Sequence, residues 1–131
     1  MELYEIKIKS EGNGWKSCVS AVGEVSFGKE LCVKYSLDGD ECEFITDGRT
    51  AVQRRRGVQN ILITFICGRS TRCVLGRGDL TGSYAVYTKK LKLVRGEEGF
   101  SLLLEYLSGN EKEKIKLNFK AIKNKKSQEF K

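Results

Sequence analysis

The sequence contains no histidine and no proline among its 131 residues. Without histidine there can be no Ser–His or Cys–His nucleophile pair and no histidine-ligated metal, and the commonest general base is missing. The five cysteines include no close pair of the kind that structural zinc requires, since even Cys67 and Cys73 are separated by five residues. We therefore expect a protein that is not an enzyme and that uses no metal or cofactor.

Long hydrophobic runs are also missing. No apolar stretch approaches the roughly 18 residues of a membrane helix. The N-terminus is charged from its second residue and lacks the apolar core of a secretory signal. An odd number of cysteines spread over the chain is typical of reduced thiols. Together these features predict a soluble protein of the bacterial cytoplasm with no membrane partner.

The positive charge is concentrated in two parts of the chain. The formal net charge is +7, yet residues 49–77 alone hold seven arginines and no acid, and residues 111–131 hold eight lysines against three acids. Arginine presents a planar fork suited to phosphate and carboxylate groups, whereas lysine is a hydrated point charge. We therefore expect the arginine-rich segment to be the more informative about a ligand.

Apolar residues recur with a period of two along most of the chain. Tyr4 and Ile6 alternate with charged residues, as do Leu31, Val33 and Tyr35. This alternation is typical of antiparallel strands with one face in a core. With glycine- and aspartate-rich turns between them, the pattern predicts eight to ten strands, at residues 2–10, 16–27, 30–37, 41–46, 50–54, 59–66, 70–75, 80–94 (bent or bulged), 100–107 and 111–122.

Strands joined by short turns, with no room for crossover helices, predict a single all-β domain over residues 1–122. A meander of this length removes its free edges best by closing into a lipocalin-like antiparallel barrel, and an open two-sheet β-sandwich is the alternative. Residues 123–131 lose the alternation and are predicted to form a frayed basic tail.

From the middle to the end of the chain, several residues follow one another in an order that is typical of a known family. They are Arg55-Arg56-Gly57, Phe65, Gly68, Thr71, Gly78, Thr88, the segment 99–106 and the LNFKAI segment at 117–122. In this order the chain resembles a family of small bacterial proteins of unknown function with a lipocalin-like, calycin-type β-barrel. The resemblance covers about residues 45–122 and depends on turn glycines and alternating apolar positions. It implies the fold and implies no activity.

The main candidates for contact with an anion are Arg54, Arg56 and Arg72. The strand pleat sends Arg54 and Arg56 to one face and Arg55 to the other, and sends Arg72 to the face opposite Cys73. Arginines from neighbouring strands can converge on one anionic group. The structural alternative is that most of them are solvated on the exterior while one inward arginine plugs an end of the barrel.

A barrel interior can also hold one small molecule, with a few polar groups among apolar walls. The candidates for these polar groups are Tyr35, Tyr84, Thr88 and Tyr106, each of which is equally compatible with a core position. The favoured function is a non-catalytic binding module for a small anionic or amphiphilic ligand, held in the interior or mouth of the barrel. The alternatives are RNA or acidic-protein binding through the basic surface, and a scaffold protein that pairs through an exposed strand edge.

Overall fold

The computed structural model describes residues 3–109 and 113–123, and these residues form ten β-strands and no helix. It follows that the described residues contain no helix able to span a membrane. The predicted frayed tail lies outside the described residues, apart from Lys123. The strands are β1 (Leu3–Gly12), β2 (Trp15–Phe27), β3 (Leu31–Leu37), β4 (Asp40–Thr46), β5 (Thr50–Arg56), β6 (Asn60–Ile66), β7 (Ser70–Arg77), β8 (Leu80–Arg95), β9 (Gly99–Ser108) and β10 (Glu113–Lys123).

Each strand pairs antiparallel with the next, and β1 pairs with β10 to close the barrel. The predicted all-β meander is therefore confirmed, and the closure excludes the open sandwich. The predicted irregularity in the longest strand is also present, because the register of β8 against β9 shifts between Thr88 and Lys90. Such a bulge bends the strand, so that its two halves lie in different parts of the barrel wall.

The alternating residues face inward and fill the middle of the barrel. Phe119 on β10 is at the centre of this core, with its ring centroid 5.2 Å from that of Phe44 and 5.9 Å from those of Phe100 and Tyr35. Burial of a phenylalanine side chain stabilises a fold by about 1.5–3 kcal/mol. A second contact joins Phe65 to Tyr106, with centroids 5.0 Å apart. Aromatic rings thus occupy the middle of the barrel.

One end of the barrel positions the candidate site. Here β4, β6 and β8 begin and β3, β5 and β7 end, so that their turns lie together at residues 38–39, 57–59 and 78–79. We call this end the Asp40 end. It brings the arginines of β5 next to the glycine-rich ends of β7 and β8.

Candidate anion-binding site

The three consecutive arginines of β5 are divided between the two faces of the wall. Arg55 lies opposite Cys42, which is buried, and so faces the interior. Arg54 and Arg56 face outward, with Arg54 half-buried and Arg56 exposed. The predicted division by the pleat is therefore present, but the two arginines favoured as ligand contacts lie on the outer face and cannot line the interior.

The inward arginine is neutralised inside the barrel. Arg55 Nε donates to Oδ2 of the buried Asp40 at 2.7 Å, and Asp40 Oδ1 accepts the backbone N–H of Val58 at 3.0 Å. Both hydrogen bonds favour the carboxylate, so they lower the pKa of Asp40. Gly57 leaves room for this arrangement, because a Cβ at that position would overlap Asp40 Oδ1. Arg55 is therefore the one inward arginine at an end of the barrel that the structural alternative predicted.

An open concavity of about 450 Å³ lies beside the two outward arginines, on the outer wall of β5, β6 and β7 at the Asp40 end. Arg54 lies on β5 opposite Leu62 of β6, and Leu62 lies opposite Val74 of β7. Leu62 is 38% exposed and Val74 is 49% exposed, so both side chains offer apolar surface next to guanidinium groups.

Small and polar residues complete the concavity. Asn60 lies opposite Gly76, and an added Cβ at Gly76 would meet no atom closer than 3.8 Å. The missing side chain leaves a depression between Asn60 and Thr81, which both line the concavity. The site therefore combines two cations, an amide, a hydroxyl and an apolar floor. No pattern in the sequence points to Asn60, Leu62, Val74 or Gly76, because only the strand register brings these residues together.

Two carboxylates lie on the other side of the same arginines. Glu43 lies on β4 opposite Arg54, and Glu41 lies opposite Arg56. Neither guanidinium is within 4.0 Å of a carboxylate oxygen among the described residues, and Glu43 instead has its Oε2 4.0 Å from Nζ of Lys34. The two arginines are therefore available for another anion, in competition with these glutamates.

Arg72 also faces outward but lies outside this concavity. It is exposed on β7, and its Nη2 donates to Ser83 Oγ on β8 at 2.8 Å. Arg72 lies two residues before Val74 on β7, and Leu62 of β6 lies between Val74 and Arg54. Arg72 extends the basic character of the same wall, and the structure does not bring it to the same point as Arg54 and Arg56.

The other four predicted contacts face the interior. Tyr35, Thr88 and Tyr106 are buried, and Tyr84 is half-buried. Burial raises the pKa of Tyr106 to about 12 and raises the pKa values of the two other tyrosines. Thr88 Oγ1 is buried with no hydrogen-bond partner among the described residues. Tyr35 nevertheless lines a concavity of about 610 Å³ that Arg54 and Arg56 also line. Tyr84, Thr88 and Tyr106 line neither this concavity nor the one beside Leu62 and Val74.

The thiols are distributed between core and surface. Cys42 and Cys73 are buried, and desolvation raises the pKa of each. Cys18 and Cys67 are exposed. Cys73 therefore lies in the core, whereas Cys18 lies on the outer face of β2. Within residues 3–109 and 113–123, no group of three or more metal-ligating side chains is close enough to hold a metal ion.

A second basic surface, which we call the lysine wall, covers the outer faces of β8, β9, β10 and β1. Seven exposed lysines lie on this wall with three glutamates, one of which, Glu105, has its Oε1 3.9 Å from Nζ of Lys116. Alternation along each strand already predicts that these lysines face outward, but only the barrel closure of β1 on β10 makes them neighbours. The lysines are Lys7, Lys9, Lys90, Lys92, Lys114, Lys116 and Lys120.

By its fold the chain is a closed ten-stranded antiparallel β-barrel with a basic outer surface. It is similar in structure to the ywiB protein from Bacillus subtilis, with a TM-score of 0.76 and 13% sequence identity, over 93% of this chain and 90% of that one. At this identity the likeness shows a shared fold. No protein-family model matches the chain, and no curated protein matches it significantly.

Proposed function

We propose that this chain is a non-catalytic binding protein that holds a small anionic or amphiphilic molecule in the outer concavity beside Arg54 and Arg56. The observation that carries the proposal is the placement of two guanidinium groups, neither ion-paired with another described residue, next to the exposed apolar side chains of Leu62 and Val74. Guanidinium groups next to exposed apolar side chains suit a ligand in which a carboxylate or phosphate is joined to a hydrocarbon group.

This location differs from the interior site that the composition favoured. The middle of the barrel is filled by Phe44, Phe100 and Phe119, whereas the outer wall has open space and cations. We therefore propose Arg54 and Arg56 as the anion contacts and Arg72 as a weaker, more distant contributor. Tyr35, Tyr84, Thr88 and Tyr106 are proposed to be core residues in this scheme.

The proposed setting is the bacterial cytoplasm, and the proposed family is the lipocalin-like group that the sequence resembles. Supporting observations are the five free cysteines and the barrel shared with the ywiB protein. A ligand on the outer wall distinguishes this proposal from an interior-binding barrel.

Isothermal titration of the full chain with three probes tests the proposed function. The probes are dodecanoate, inorganic phosphate and a single-stranded oligonucleotide. We expect dodecanoate to bind once per chain and more tightly than phosphate, because the apolar floor contributes only to the amphiphile. Binding of neither small anion at low salt would contradict the proposal.

The second candidate function is binding of a polyanion, which the lysine wall favours. Seven lysines on β8, β10 and β1 make this wall a positive surface that could follow a phosphate backbone, although β9, which lies between β8 and β10, carries no lysine. Such binding would weaken steeply between low and physiological salt, since counterion release drives it. Salt-sensitive binding of the oligonucleotide without binding of dodecanoate would favour this second function.

A further inference from the structure

Strand β2 has a partner on both sides over only part of its length. It pairs with β1 from Trp15 to Glu24, whereas β3 pairs only with residues 23–27. Over residues 15–22, the edge that faces away from β1 has no strand beside it among the described residues. The barrel closes around the rest of the wall and leaves this edge open at the Asp40 end.

A single glycine marks where β2 leaves β3. Gly23 is buried, and a Cβ at this position would overlap the backbone carbonyl oxygen of Lys34 and the side chain of Ile6. Close approach of the two strands is therefore possible only at a residue without a side chain. Beyond this corner, β2 continues beside β1, which itself stays paired with β10.

The open edge lacks the usual protection against strand pairing. Natural edge strands carry charges, prolines or bulges that prevent association with another strand. The open segment reads WKSCVSAV, with Lys16 as its one charged residue and with two β-branched valines. Its unpaired backbone groups can accept an additional antiparallel strand.

We infer that this edge pairs with the same edge of a second copy of the chain to form a two-fold dimer. With Val19 opposite Val19 of the second copy, Ser17 lies opposite Ala21 and Cys18 lies opposite Ser20. Residues of equal parity share a face, so this register places outer-face residues opposite outer-face residues. The pairing is isologous and closes on itself, which satisfies both edges at once.

Charge complementarity favours a second copy as the occupant. In this register Lys16 lies opposite Val22 and diagonal to Glu24 of the second copy, a separation that long charged side chains can bridge. The two copies of Lys16 lie at opposite ends of the paired segment, about 20 Å apart along the strand. No like charges are opposed across the new strand pair.

Sedimentation velocity of the full chain, with light scattering to measure mass, tests the dimer. The substitutions are made at Val22, whose side chain is 54% exposed. V22K places a lysine directly opposite Lys16 of the second copy and beside Glu5 of its own chain, so it opposes dimer formation without disturbing β1. V22E at the same position faces Lys16 with the opposite charge. N118K adds the same charge as V22K on β10, which lies on the far side of β1 from the open edge.

We expect the wild type, V22E and N118K to be dimers at micromolar concentration and physiological salt, and V22K to be a monomer with an unchanged circular dichroism spectrum. A monomeric wild type would overturn the inference. So would a V22K variant that remains dimeric, or a loss of the dimer in V22E or N118K, because the dimer would then form elsewhere or by another contact.

Discussion

Arg55 Nε donates a hydrogen bond to Asp40 Oδ2 over 2.7 Å, and this ion pair joins the inner face of β5 to the first residue of β4. Asp40 also accepts the backbone N–H of Val58 and so holds the turn that follows β5. One arginine of the consecutive three therefore stabilises the Asp40 end, and its two neighbours remain on the outer face for a ligand.

Removal of the Asp40 carboxylate is expected to destabilise the fold. D40A leaves the guanidinium of Arg55 and the N–H of Val58 without their carboxylate partner, so we expect a lower free energy of unfolding. Urea denaturation at neutral pH measures this loss as a lower midpoint. D79A, in an exposed turn at the same end, serves as the control and is expected to change the free energy of unfolding by less than about 0.5 kcal/mol.

The same carboxylate makes stability depend on pH in the acid range. Arg55 and the N–H of Val58 hold the pKa of Asp40 below its unfolded value of about 3.9. The stabilisation is complete above the unfolded pKa and is lost as pH falls through the lower, folded pKa. We therefore expect wild-type stability to fall below about pH 4 with a steeper slope than that of D40N. Equal slopes in urea titrations of the two proteins would refute this role of Asp40.

Alkylation is expected to divide the five thiols into distinct classes. Cys18 and Cys67 are exposed and should react with iodoacetamide in the folded protein, with half-buried Cys32 slower. Cys42 and Cys73 are buried with raised pKa values and should react only after unfolding. Peptide mass spectrometry at increasing times identifies each class, and rapid labelling of Cys73 would show that the described core is wrong.

The glutamates opposite the site arginines are expected to weaken anion binding. E41Q/E43Q removes two carboxylates that lie across the strand pair from Arg56 and Arg54. Exposed charge pairs contribute up to about 1 kcal/mol, so affinity for dodecanoate should rise about five-fold. E5Q/E11Q removes the same charge from the lysine wall and serves as the matched control. An equal gain in both double variants would indicate a general charge effect with no localised site.

The period of two in the apolar residues was sufficient to predict eight to ten strands and an irregularity somewhere in the longest one, because a buried face leaves such a period in the sequence. It was not sufficient to place Cys18, since serines at positions 17 and 20 give the first half of β2 no clear apolar face. The open edge of β2 was not located either, because it depends on the close contact of Gly23 with β3.

The candidate site was only partly predictable for a related reason. Alternation within β5 divides Arg54 from Arg55, but a run of three arginines does not show which face is inside. That choice is made by neighbours across the strand pair, where Cys42 is buried opposite Arg55. Leu62 and Val74 were absent from the predicted site because their proximity to Arg54 is a property of the sheet register.

The proposed function depends most on the two outward arginines. Calorimetric titration measures the affinity for dodecanoate of two double variants. R54A/R56A removes both cations of the site, and R49A/R69A removes two exposed arginines from turns at the opposite end of the barrel. Each guanidinium contact with an anion contributes about 1.5–3 kcal/mol, so we expect R54A/R56A to lose at least about 100-fold in affinity. Its melting temperature should stay within a few degrees of wild type, and R49A/R69A should bind as wild type does. Equal affinity of the two double variants would contradict the proposed site.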